Sequence, residues 1–144
     1  MERTKTIVIA SGYFNPLHKG HIEYLKRSKE FGDILYVIVN NDLQVKLKGS
    51  KPFQDAEERC TIIKELKCVD YVVISADADR SVRNTIKNIY DSNWSITDKF
   101  IFTNGGDQFG NTILEKDICN QLGIELIDGL GEKIQSSSEL KSKL

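Results

Sequence analysis

Apolar positions along the chain come in short unbroken runs, separated by stretches in which they recur every three or four residues. The runs lie at 6–11, 34–40, 71–75, 100–103 and 124–127 and are rich in Val, Ile, Phe and Tyr. Unbroken apolar character over so few residues predicts strands covered on both faces. The helical spacing occupies 21–31, 56–66, 80–90 and 112–122, and a last short helix is expected at 136–143. Asp55 is placed as an N-cap with Glu58 completing a capping box, and Gly32 and Gly123 stand where helices should stop. Strand and helix alternate throughout. That order predicts a Rossmann-like, doubly wound α/β fold, a five-stranded parallel sheet with helices on both faces, whose ligands bind beyond the carboxyl ends of the strands.

Composition narrows the picture without changing it. With 144 residues, of which 40% are hydrophobic, the chain is expected to form one domain, 1–144, around one ordinary core. There is no repeat, no low-complexity tract and no linker, and Pro16 and Pro52 both fall in segments read as loops. The 20 basic residues are balanced by 21 acidic ones, so no global field favours nucleic acid and any phosphate binding should be local. No apolar run approaches the roughly 18 to 20 residues of a membrane span, and the run at 7–10 is too short for a signal-peptide core. A cytoplasmic protein with no membrane partner is expected. Cys60, Cys68 and Cys119 lack CxxC or zinc-ribbon spacing and read as reduced thiols in or near the core, with a metal or redox role as the alternative.

The candidate chemistry sits directly after the first strand, in Gly12-Tyr13-Phe14-Asn15-Pro16-Leu17-His18-Lys19-Gly20-His21. His18 and His21 are the chain's only histidines, and both fall on the first turn of the first helix. Unpaired N–H groups and the positive end of the helix dipole attract anions there, and two imidazole donors three residues apart can reach one phosphate together. Gly12 lets the backbone approach a ligand, and Gly20 removes a side chain that would crowd it. The bland alternative is two ordinary polar residues at a helix start; another is a metal shared by the two rings, for which no further ligand lies nearby in sequence.

This decapeptide resembles the HxGH signature of the nucleotidyltransferase superfamily. That superfamily includes cytidylyltransferases, pantetheine-phosphate and nicotinamide-mononucleotide adenylyltransferases, and the adenylyltransferase domain of ADP-heptose synthase. The resemblance runs on through Asn40-Asn41-Asp42, Lys46-Leu47-Lys48-Gly49, Pro52 and Glu57-Glu58-Arg59. Val69-Asp70-Tyr71-Val72-Val73, Gly105-Gly106-Asp107 and Gln135-Ser136-Ser137-Ser138 have counterparts as well. It implies transfer of a nucleoside monophosphate from an NTP to a phosphorylated small molecule, with Mg²⁺ on the triphosphate and no metal held by the protein alone.

The roles implied are specific. His18 and His21 stabilise charge on the α- and β-phosphates, and Lys46 is the catalytic cation. Gly12, Tyr13, Phe14, Gly20, Gly105, Gly106, Asp107, Ser136, Ser137 and Ser138 bind the nucleotide, and Asn15, Asp42 and Lys48 are candidates for the second substrate. Lys46 and Lys48 are read as lying in a loop after the second strand. The family's Thr or Ser after Gly12 is here Tyr13, its Asp is Asn15, and Asn104 replaces a Lys of the heptose-phosphate enzymes. An Arg that cytidylyltransferases carry before their last motif is missing, leaving Lys133 or Lys141 to supply the charge. ATP is the expected nucleotide and a sugar phosphate the expected acceptor, with CTP and a polyol phosphate as the alternative. Resemblance to dimeric cytidylyltransferases implies a homodimer. A nucleotide-binding regulatory module without turnover is the competing reading from another class.

Overall fold

The computed structural model describes residues 5–97, 99–105 and 113–128. Its five strands are β1 (Thr6–Gly12), β2 (Ile34–Val39), β3 (Tyr71–Ile74), β4 (Lys99–Thr103) and β5 (Glu125–Ile127). All neighbours pair in parallel in the order β3-β2-β1-β4-β5. The doubly wound sheet read from the sequence is therefore present.

Alternate residues of each strand feed opposite faces, as the pleat requires. Val8, Ala10, Leu35, Val37, Val39 and Ile101 point to one face, where they pack with Phe14, Tyr24, Leu25 and Ile63. Ile7, Ile9, Ile38, Phe100 and Phe102 point to the other, against Val82, Ile86, Ile89 and Cys119. Helices α1 (Lys19–Lys29) and α3 (Ala56–Lys64) thus cover one face, and α4 (Arg83–Asn93) and α5 (Lys116–Leu122) the other. Each fully buried aliphatic or aromatic side chain contributes roughly 1.5 to 3 kcal/mol, and this two-sided burial explains why the strands read as unbroken apolar runs.

Several boundaries differ from the sequence reading, each for a polar reason. Lys46 lies in a short helix, α2 (Asp42–Leu47), rather than a loop, and Lys48 is its C-terminal cap residue. Of its three apolar residues only Val45 is buried, but Asn41 and Gln44 close a reciprocal capping box at its start. Helix α4 begins at Arg83 rather than 80, because the preceding segment is held in turns by side-chain bonds. Gln44 Nε2 donates to the Asp79 and Ser81 carbonyls at 2.6 and 2.8 Å. Buried Asp77 accepts the Asn84 and Thr85 N–H groups at 2.8 and 3.0 Å, and Glu115 accepts that of Val82 at 2.9 Å. Glu115, turned inward for this bond, directly precedes α5, which begins at Lys116; residue 112, where the sequence reading starts this helix, lies outside the described residues.

Asp55 caps α3 by accepting the Glu58 N–H at 2.8 Å, whereas the reciprocal half of the expected box is not made there. Gly123 ends α5 in the left-handed conformation, φ 74°, as its position suggests. Gly32 does not act through positive φ. A Cβ there would stand 2.7 Å from the Thr6 carbonyl oxygen, so the glycine permits close packing of the α1 exit on β1. The expected helix at 136–143 lies outside the described residues. Among the described residues no helix is long and apolar enough to cross a membrane.

Candidate active site

The site is built where β1 and β4 part. The β1–β2 ladder runs on to Gly12 opposite Val39, and the β4–β5 ladder to Thr103 opposite Ile127, but the β1–β4 ladder ends at Ala10 opposite Thr103. The order of strands reverses between these two, which is the crevice where doubly wound folds bind ligands. The loop after β1 leads over it into α1.

That helix is capped by its own histidines. His18 is the N-cap, and its Nδ1 accepts the Gly20 N–H at 3.0 Å; His21 Nδ1 reaches back to accept the His18 N–H at 3.0 Å. A capping box normally made by Ser or Thr with Glu is here made from two imidazoles. The rings stack with centroids 3.7 Å apart, and the edge of one of Phe14 and His21 meets the face of the other at 5.1 Å. A nitrogen that accepts cannot carry the proton, so each neutral ring holds its proton on Nε2. Burial lowers the His18 pKa, which favours its neutral form; burial first, then the charge His18 takes on when protonated and the charge of Lys48, lower that of His21 to about 3. Two uncharged N–H donors therefore stand at a helix N-terminus.

At Gly12 the space a side chain would take is filled by a neighbour's ring. A Cβ on it would fall 2.7 Å from Phe14 Cζ, and Phe14, 1% exposed, holds φ at 49° to bring its ring there. This left-handed backbone costs a bulky residue roughly 1 to 2 kcal/mol, offset by full burial of the ring against His21. Gly20 is buried in the first turn of α1.

Of the two lysines, the structure brings Lys48 to the histidines. Its Nζ lies 4.3 Å from the centroid of the Tyr13 ring, and its charge is felt at His21. Lys46 is exposed in the last turn of α2. Asn15 and Asp42, expected to meet the second substrate, are held by the protein itself. Asn15 donates to the Lys51 carbonyl at 2.8 Å and accepts the Phe53 N–H at 2.6 Å. Asp42 receives Arg59 Nη2 at 2.7 Å and the Ala56 N–H at 3.3 Å. Gly105 is exposed at the end of β4, while Gly106, Asp107, Ser136, Ser137 and Ser138, with Lys133 and Lys141, lie outside the described residues.

Two residues given no role from the sequence, Arg59 of the Glu57-Glu58-Arg59 stretch and Tyr24, organise the site. Arg59 is 1% exposed and donates to the Tyr13 and Asn40 carbonyls at 2.7 and 2.8 Å, to Asp42, and to the Gln54 carbonyl at 3.0 Å. One guanidinium thus ties together the loop after β1, the end of β2 and the start of α2. Its signal was position: Ala56, Arg59 and Ile63 form the buried stripe of α3, and an Arg on such a stripe needs several acceptors. Tyr24, on the buried stripe of α1, places its hydroxyl between β1 and β4.

Among the described residues no group of three or more His, Cys, Asp or Glu side chains gathers as a metal-ligand set. The two imidazoles do not suit a metal either, since their Nδ1 lone pairs take backbone N–H groups and their Nε2 atoms carry protons. What the arrangement does offer is N–H donors for an anion at the N-terminus of α1, where β1 and β4 part.

Comparison with known proteins agrees with that chemistry. Residues 9–123 match the family model described as cytidylyltransferase-like. The bifunctional protein HldE of Syntrophotalea carbinolica is 34% identical over 131 residues, covering 88% of this chain and 24% of that protein. The bifunctional protein HldE of Geobacter metallireducens is 37% identical over 131 residues, covering 87% and 24% respectively. The chain therefore spans about a quarter of the length of these relatives. A lipopolysaccharide core biosynthesis protein from Thermoplasma volcanium superposes with a TM-score of 0.62 at 34% identity, covering 86% of this chain and 93% of that one. A putative nicotinate-nucleotide adenylyltransferase from Vibrio parahaemolyticus, TM-score 0.60 at 17% identity over 98% of this chain and 87% of its own, shares the fold. With the family model spanning most of the sheet and both histidines inside it, the chain belongs to the cytidylyltransferase-like family.

Proposed function

We propose that the chain is a cytoplasmic adenylyltransferase that moves AMP from ATP onto a phosphorylated sugar and releases pyrophosphate. The observation that carries this reading is the pair of neutral imidazoles, both with Nε2 protonated, at the N-terminus of α1 beside the β1–β4 crevice. A phosphate oxygen of the acceptor attacks the α-phosphorus in line. The bond from that phosphorus to the bridging oxygen breaks, and the electron pair leaves with pyrophosphate. The acceptor oxygen is already anionic, so no base is needed.

Charge flows from the acceptor through the α-phosphate to the leaving group, and the histidines donate hydrogen bonds to these oxygens as it does. Removing one donor aimed at developing charge costs about 3 to 4 kcal/mol in comparable sites. Lys48, whose Nζ lies over the Tyr13 ring and whose charge acts on His21, is the phosphate clamp in this reading in place of Lys46. Mg²⁺, a hard cation preferring oxygen, is held by the triphosphate and neutralises part of its charge.

Sugar phosphate as acceptor is supported by the Thermoplasma volcanium protein, whose description is lipopolysaccharide core biosynthesis. ATP is supported by the resemblance of the whole run from Lys46-Leu47-Lys48-Gly49 through Pro52, Glu57-Glu58-Arg59, Val69-Asp70-Tyr71-Val72 and Gly105-Gly106-Asp107 to the ADP-heptose synthase adenylyltransferase domain. A second reading, transfer of CMP to a polyol phosphate, is favoured by the family model's own cytidylyltransferase description. A cytoplasmic site accords with an NTP substrate and with three unpaired thiols. The test is a pyrophosphate-release screen of the four NTPs against sugar, polyol and cofactor phosphates. Release with ATP and a sugar phosphate is expected; release with CTP alone moves the protein to the second reading. Calorimetric binding of ATP with no turnover on any acceptor would leave a regulatory module instead.

A further inference from the structure

Where parallel strands part, each leaves backbone groups that the next ladder rung would have paired. At this crevice the Tyr24 hydroxyl takes them. It donates to the Thr103 carbonyl at 2.8 Å and accepts the Ser11 N–H at 3.3 Å, so one oxygen stands in for the rung after Ala10 and Thr103. Beyond that point the Asn104 N–H turns to the Ile127 carbonyl at 2.8 Å, committing β4 to β5. The hydroxyl is braced from below. Ser28 Oγ donates to the Tyr24 carbonyl at 2.8 Å and lies 2.8 Å from Thr103 Oγ1, which in turn is 3.3 Å from the Tyr24 hydroxyl.

Tyr24 is 4% exposed, and it lies one turn beyond His21 on α1. Its ring also floors the turn after β4, where a Cβ on Gly105 would stand 4.0 Å from Tyr24 Cδ1. The same residue therefore touches the end of β1, the end of β4 and the helix that carries the imidazoles.

Resting on the nucleotidyltransferase reading, we infer that Tyr24 is a positioning residue that wedges β1 and β4 apart and so sets the width of the crevice receiving the nucleotide. It does not touch the reacting phosphates. Its hydroxyl acts on nucleotide binding through the two strand ends, while the caps that orient His18 and His21 are made by other atoms. A wedge of this kind supports ground-state binding more than the chemical step.

Tyr24→Phe keeps the ring and removes only the wedge. The expected result is a KM for the nucleotide raised about tenfold with kcat within about threefold of wild type, together with faster hydrogen exchange at the Ser11 amide in ligand-free protein. Ile89→Val, a core change on the opposite face of the sheet, serves as the comparison for a purely structural loss. It should lower the urea midpoint and leave KM and Ser11 exchange unchanged. The inference is overturned if Tyr24→Phe leaves KM and Ser11 exchange at wild-type values, or if it merely lowers kcat and the urea midpoint together. Wild-type protein that binds none of the four NTPs would instead overturn the proposed function, and Ser11 exchange would then alone decide whether Tyr24 holds the strands apart.

Discussion

At the scale of single residues, the histidines carry two duties on different atoms. Nδ1 of each closes the first turn of α1, and Nε2 carries the proton that the proposed chemistry directs at substrate. Replacing His21 by Ala should therefore do two things: lower kcat at least about 100-fold and destabilise the helix by about 1 kcal/mol, the usual cost of losing a cap. His21→Asn separates them. Its short side-chain carbonyl can still accept the His18 N–H but cannot reach where Nε2 stood, so pyrophosphate release should fall as far as in the alanine variant while the urea midpoint stays near wild type. The proton count gives a second expectation. His21 titrates at about 3 in the folded chain against 6.5 when unperturbed, so between these values the unfolded chain binds the extra proton. This contribution to stability is whole above pH 6.5 and falls as the pH drops toward 3. Imidazole nitrogen shifts recorded from pH 5 to 8 should show His21 neutral, protonated on Nε2 and without a titration step. The sequence made the two histidines conspicuous, but not the direction of their rings. It gave no sign either that Asn15 would join two loops: its amide donates to one carbonyl and its oxygen accepts one N–H, and an Asp could make only the second bond.

At the scale of elements, what was legible was whatever apolar spacing controls. All five strands stand within a residue of the runs that announced them, because each run is buried on both faces. Helix boundaries followed less well where polar side chains decide them. The start of α4 is set by Asp77, Gln44 and Glu115, distant in sequence from one another, and α2 exists through its capping box. Arg59 shows the same limit, since its four bonds go to partners up to 46 residues away. Arg59→Lys keeps the charge but presents one ammonium in place of a planar fork, and it cannot serve four acceptors in these directions. A loss of at least about 2 kcal/mol in urea unfolding is expected, since hydrogen bonds to charged groups contribute roughly 1.5 to 3 kcal/mol each. The loop carrying Tyr13 should also loosen, measured as faster amide exchange at residues 13–15.

At the scale of the whole molecule, the near balance of charge leaves binding to the crevice rather than to a broad field. Turnover is expected to need a divalent cation carried by the nucleotide, whose phosphate oxygens suit a hard cation such as Mg²⁺. Excess chelator should abolish pyrophosphate release, and added Mg²⁺ should restore it. A homodimer is the expected assembly, from the resemblance to dimeric cytidylyltransferases and from β3, an edge strand among the described residues, where Tyr71 and Ile74 are 53% and 41% exposed. Light scattering at micromolar concentration should give twice the 16.3 kDa chain mass. The histidine caps bear on how such a chain can change over evolutionary time. A lineage that abandoned catalysis would not be at liberty to fill these two positions at random, because the first turn of α1 would fray. Ser, Asp or Asn at position 18, and a side chain able to accept the N–H of that residue at position 21, would keep the fold. Loss of activity should thus leave a recognisable scar, a conventional helix cap written where the imidazoles had been.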